Sequence, residues 1–154
     1  MPTLRFIAMM TIQLGIAMAI LDASMLNMAL PQLASQLNIP DSNAIFIVNS
    51  YQICMVASLL PFSAFADGVG YKRIYLGGLS LFSLAALASY FINSFDALVL
   101  ARGIQGLGGS AMAGVNIALI RSIYPVHLFG RAIGTSALVV ALSFCAGPLL
   151  AAAI

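Results

Sequence analysis

Two charged residues stand inside apolar runs, where lipid would charge heavily for them. Asp22 lies deep in the run that follows Arg5, and Arg102 lies early in a later run that ends at Arg121. A charged side chain at the centre of a membrane helix costs about 2.5–3.5 kcal/mol on insertion scales, so each needs a reason to be there. Taking a carboxyl group out of water disfavours its charged form, which makes Asp22 a candidate proton acceptor. The plainer reading is a carboxylate that bonds a neighbour without titrating. For Arg102 the plainer reading is a guanidinium that snorkels to the outer interface. Against it, the same helix face continues as Gln105, Gly109 and Asn116, polar or small residues at helical spacing. That stripe suits a water-lined cavity, with Asn27 as a further polar position near Asp22. Counting residues puts Asp22 and Arg102 at similar depth, roughly 7–11 Å below the outer surface, where they could pair or compete for one proton.

A second constellation sits between spans: Asp67, Gly70, Lys72 and Arg73. Its bland reading is a solvated turn. Its functional reading is a charge latch between helix ends, in which Asp67 caps the next helix or holds a basic partner in one state and releases it in another. A third group is built for closeness. Gly106, Ser110 and Gly114, and likewise Ser143 and Gly147, follow the spacing that lets membrane helices approach. Gly147-Pro148 adds a bend, because proline frees a backbone acceptor.

The elements that must position these groups are membrane helices. Of the 154 residues 62% are hydrophobic and 6% charged, with a mean hydropathy of +1.08. A soluble domain carries about 25% charged residues, so this chain cannot coat a water-facing surface. A spanning helix needs about 20 mostly apolar residues. The pattern predicts five, at about 6–29, 44–65, 74–92, 97–120 and 129–154. Leu30-Pro31 is expected to close the first span, and Asp67-Gly68-Val69-Gly70 to follow the second. The expected fold class is an all-α membrane bundle of about five helices, with neighbours antiparallel because the connections are short.

Arg5, Lys72, Arg73, Arg121 and Arg131 all fall at one set of span ends, whereas the opposite loops hold Asp41 and Asp96. Lys and Arg collect on the cytoplasmic side, which predicts a cytoplasmic N-terminus. The continuous apolar runs exclude a strand barrel. No basic face tracks phosphates, so nucleic acid is not an expected partner. Cys54, Cys145 and the single His127 form no ligand spacing, so neither a metal nor another cofactor is expected. No nucleophile–base pair points to an enzyme.

Four segments together resemble the major facilitator superfamily and, more narrowly, its 14-helix drug:proton antiporter branch. Leu21 to Pro31 (LDASMLNMALP) is similar to that branch's first-helix motif, LDxTxxNxALP. Ser63 to Ile74 (SAFADGVGYKRI) resembles the loop motif GxLaDrxGrkxxl, with Ser63, Gly68 and Tyr71 departing from it. Leu100 to Gly109 (LARGIQGLGG) resembles lxxxRxxqGxg, and Ser143 to Ala152 (SFCAGPLLAA) resembles gxxxGPxxGG. The resemblance implies alternating access driven by protons. Asp22 would couple the proton, Arg102 would tune it, Asp67, Gly70, Lys72 and Arg73 would gate, and Gly147 and Pro148 would mark the helix linked to antiport.

That superfamily is built from three-helix repeats in two six-helix halves, so five helices leave a repeat incomplete. The expectation is an N-terminal part of a multi-pass carrier in a bacterial plasma membrane. Its partners would be lipid, protons, a drug-like small molecule and the remaining half of the carrier. Two alternatives stay open: a carrier for a non-drug solute, and a truncated module that associates with another carrier without transporting.

Overall fold

The computed structural model describes residues 2–152. Its described residues form five long helices: α1 Pro2–Gln36, α2 Asp41–Val69, α3 Tyr71–Phe91, α4 Phe95–Ile123 and α5 Val126–Ala152. All five are long and apolar enough to cross a membrane. The last two residues of the fifth expected span, 153 and 154, lie outside the described residues.

Two expected breaks fall inside helices. Pro31 does not end α1, which runs on to Gln36. Proline removes one backbone donor but keeps a helix-compatible φ, and in a membrane helix one freed carbonyl is tolerated. The true stop is Asn38, whose φ of 51° is left-handed. Its N–H bonds the Ser35 carbonyl at 3.3 Å, and the Ile39 N–H bonds the Ala34 carbonyl at 3.0 Å. This paired closure satisfies the last carbonyls of α1. The second correction concerns Asp67, Gly68 and Val69, which belong to the last turn of α2. The turn reduces to Gly70 alone, at φ 102° and ψ 133°. Only glycine takes such a φ without strain, so one residue lets α2 stop and α3 begin.

The chain divides into two compact units. One holds the chain up to Met28 together with Asn116 onward, and the other holds Ala29–Val115. In the first unit α1 and α5 run parallel: Gln13 meets Thr135 and Ser136, and Ser24 meets Gly147.

In the second unit α4 meets both α2 and α3. Against α2 it presents Gly103, Gly106, Ser110 and Gly114, opposite Cys54, Tyr51, Ser58 and Ser63. Both series ascend apart from the first pair, so α2 and α4 run parallel. Against α3 it presents Gly108 to Phe82 and Ala111 to Gly78, an antiparallel contact. Small residues allow this, because the apolar tails of lipid give helices no hydrophobic reason to associate and close packing must supply it. The difference shows in burial: 56% of the α4 span is buried, against 6–22% of the other four. Leu60, Leu84, Leu100, Leu142 and Phe144 are exposed.

Candidate functional site

In the first unit, Asp22 is half-buried on α1. Two residues on, Ser24 is buried, and its hydroxyl donates to the Leu21 carbonyl at 3.1 Å. Ser24 packs into the space that a side chain at Gly147 would need: a Cβ there would overlap the Ser24 hydroxyl oxygen and lie 2.7 Å from its Cβ. The first-helix segment around Asp22 and the Gly147-Pro148 segment are therefore in direct contact. Pro148 is half-buried, and Asn27 is exposed.

Arg102 is half-buried on α4 in the second unit. Its Nη1 donates to Gln105 Oε1 at 3.0 Å, one helical turn on. Gln105 is fully buried and its Nε2 has no protein partner. Gly109 is buried against α2, where a Cβ would lie 2.9 Å from the Tyr51 hydroxyl oxygen. Part of the polar stripe read from the sequence thus packs against protein: Gln105 and Gly109 are enclosed, while Arg102 and Asn116 are half-buried. Gly106 meets the Tyr51 backbone itself.

At the Gly70 turn, Asp67 is engaged, but not as the cap of α3. The cap position is Gly70, without a side-chain cap bond. The Tyr71 hydroxyl donates to Asp67 Oδ1 at 2.7 Å, across the turn. Lys72 and Arg73 are exposed. Tyr71 stands where the resembled motif carries a basic residue, so a neutral hydroxyl supplies the contact here.

Three features escaped the sequence reading. Ser58 and Ser110 hydroxyls lie 2.6 Å apart between α2 and α4. Gly78 meets the Gly108 carbonyl, with a Cβ at Gly78 2.8 Å from that oxygen. Gln13 bonds two hydroxyls on α5. Glycine and serine spacing marks helix contacts but does not say which helix is met.

The family model of the major facilitator superfamily matches residues 12–154. The chain belongs to the major facilitator superfamily. It is an all-α, multi-pass membrane protein and a partial bundle of that family's type. An uncharacterized transporter of Escherichia coli, YebQ, is 48% identical over 97% of this chain and 33% of its own length. The riboflavin transporter RibZ of Clostridioides difficile is 28% identical, over 95% of this chain and 32% of its own. The multidrug resistance protein Stp of Mycobacterium tuberculosis is 33% identical, over 89% of this chain and 26% of its own. The chain therefore spans about a third or less of the length of these curated relatives.

Proposed function

We propose that this chain is the N-terminal part of a proton-coupled carrier that exports drugs or other amphipathic, cationic small molecules. The observation that carries the reading is Asp22: a carboxyl group half-buried in an apolar helix, beside the Ser24–Gly147 contact with α5. A group that gains and loses a charge at a helix contact changes the energy of that contact, which is what coupling to a conformational change requires. A relative named for multidrug resistance supports a drug as cargo. The gradient supplies the energy, so the carrier needs no cofactor and does no bond-making chemistry. A relative named as a riboflavin transporter favours a second reading, a non-drug solute.

The test uses the full-length carrier in inside-out vesicles. Ethidium accumulation on imposing a proton gradient, abolished by a protonophore, is the expected result. Gradient-driven movement of riboflavin without ethidium selects the second reading. Movement of neither removes both.

Orientation follows from the basic span ends. The membrane is a bacterial plasma membrane, with the N-terminus and the Gly70 turn in the cytoplasm. A cysteine placed at exposed Lys72 reacts only with membrane-permeant reagents, and one at exposed Ser42 reacts from outside. Labelling of position 72 by an impermeant reagent in intact cells would reverse the topology.

The Gly70 turn is a gate hinge, held by Asp67 and flanked by Lys72 and Arg73. Asp67→Asn removes the charge and leaves an acceptor for Tyr71. The expected effect is slower turnover with ethidium affinity nearly unchanged. Normal turnover returns Asp67 to a turn-former.

A further inference from the structure

The Gln13 contact is a polar cluster that nothing in the proton pathway uses. Gln13 is buried on α1, 9% exposed, and reaches α5 in the same compact unit. Its Nε2 lies 3.1 Å from the buried Ser136 hydroxyl oxygen and 3.4 Å from that of Thr135. Both hydroxyls in turn donate to the Ala132 carbonyl, at 3.2 and 2.8 Å.

The hydrogens can be counted. An amide has two donor hydrogens and a hydroxyl has one. The two amide hydrogens serve the two hydroxyl oxygens, and the two hydroxyl hydrogens serve Ala132. Every side-chain donor in the cluster is engaged. What remains is Gln13 Oε1, which is buried and has no protein partner. A carbonyl oxygen in apolar surroundings is costly to leave unpaired. The cluster therefore presents an acceptor and no donor. Thr135 at the edge of the cluster is exposed, while the Gln13 oxygen itself is enclosed by protein. Gln13 is eight residues beyond Arg5, roughly 12 Å along the helix, well inside the apolar span.

We propose that Gln13, held in place by Thr135 and Ser136, is a solute-binding residue whose free carbonyl accepts a hydrogen bond from an N–H or O–H group of the carried molecule. Turning the amide over would make both hydroxyls leave the Ala132 carbonyl to donate to the amide oxygen, exchanging four bonds for two, so the orientation with the carbonyl free is the favoured one. The inference rests on the carrier reading but not on proton coupling.

The shared chemistry is a donor hydrogen, which a bound water could also supply, and the experiment separates the two. Full-length carrier in detergent is titrated with ethidium, which bears two aryl amines, and with tetraphenylphosphonium, a cation without a donor. Gln13→Leu should weaken ethidium about tenfold, the factor expected for one lost hydrogen bond, and tetraphenylphosphonium less than about twofold. Gln13→Glu keeps an acceptor at the same length, with the two hydroxyls able to turn and donate to the carboxylate in place of the lost amide bonds, and guards against misfolding. It should hold ethidium within about threefold of the wild type. Equal weakening of both cations by Gln13→Leu would assign the oxygen to a structural water and overturn the proposal. So would unchanged binding of both, weakening by Gln13→Glu as large as by Gln13→Leu, or a wild-type carrier that binds neither cation. No gradient is applied, so a carrier that binds ethidium through Gln13 and fails to export it refutes the transport reading alone.

Discussion

Gly106→Val separates α2 from α4. A Cβ at Gly106 meets the Tyr51 carbonyl oxygen in overlap, with the Tyr51 carbonyl carbon at 3.1 Å and Cα at 3.2 Å. These are backbone atoms of a helix, which cannot rotate aside as a side chain can. The two helices must move apart, and the displacement propagates along a face that also holds the Ser58–Ser110 contact and the Ser63–Gly114 bond. Overpacking a tight core typically costs 1–3 kcal/mol. With rigid backbone on the opposing side the expected loss is about 3 kcal/mol or more, and Gly106→Ala should fall between valine and wild type. Gly77→Ala is the control, because a Cβ there meets nothing within 4 Å. Alanine at Gly77 should leave stability unchanged or raise it by up to about 1 kcal/mol through helix propensity. The measurement is thermal or denaturant unfolding of the purified carrier. A Gly106→Val protein as stable as the Gly77→Ala control would mean that α4 does not pack on α2 through this stripe.

The sequence carried the fold class clearly and the helix contacts poorly, for one physical reason. In lipid, apolar residues lie both outside and inside a bundle, so hydrophobic periodicity does not distinguish the faces. Only polar and small residues mark the protein-facing side. That is why Gly106, Ser110 and Gly114 stand out as a contact face, while nothing in the adjacent pair Gly77-Gly78 on α3 says that Gly78 is the one that meets Gly108. A proline in the sequence does not by itself end a membrane helix. Pro31 is accommodated within α1, and the real stop is Asn38, a residue type that tolerates the left-handed φ of a helix end, with Pro40 following. At the Gly70 turn, residue types gave the participants but not the pairing. Tyr71 was a departure from the resembled motif, and only geometry shows its hydroxyl on Asp67. Gln13 and Ser136 are 123 residues apart, beyond any local pattern.

Asp22→Asn is expected to abolish gradient-driven export while preserving insertion and ligand binding. Asparagine keeps the size and hydrogen-bonding capacity of the protonated acid, so the half-buried position on α1 and the neighbouring Ser24–Gly147 contact remain. What it lacks is the ability to gain and lose a charge. An antiporter couples two flows by letting proton and cargo favour different conformations. With a permanently neutral residue at 22, the protonated state becomes independent of the gradient, and the gradient no longer drives the cycle. Cationic cargo should be affected most, because the ionised carboxylate is the negative charge such a cargo would favour. Replacing Arg102, a charged residue within α4, should shift the pH dependence of export without abolishing it, since it removes a positive charge from the span but no titrating carboxylate.

A proton-coupling role for Asp22 is the proposal on which gradient-driven export rests. It is tested most directly by ethidium transport in proteoliposomes holding the full-length carrier, with and without an imposed proton gradient. Wild-type carrier should drive ethidium uphill when the gradient is present and stop when a protonophore collapses it. The Asp22→Asn carrier should still exchange ethidium across the membrane down its own concentration gradient, and should show no response to the proton gradient. Uphill ethidium transport by Asp22→Asn at the wild-type rate, with the same dependence on the proton gradient, would contradict the account and make Asp22 a structural residue.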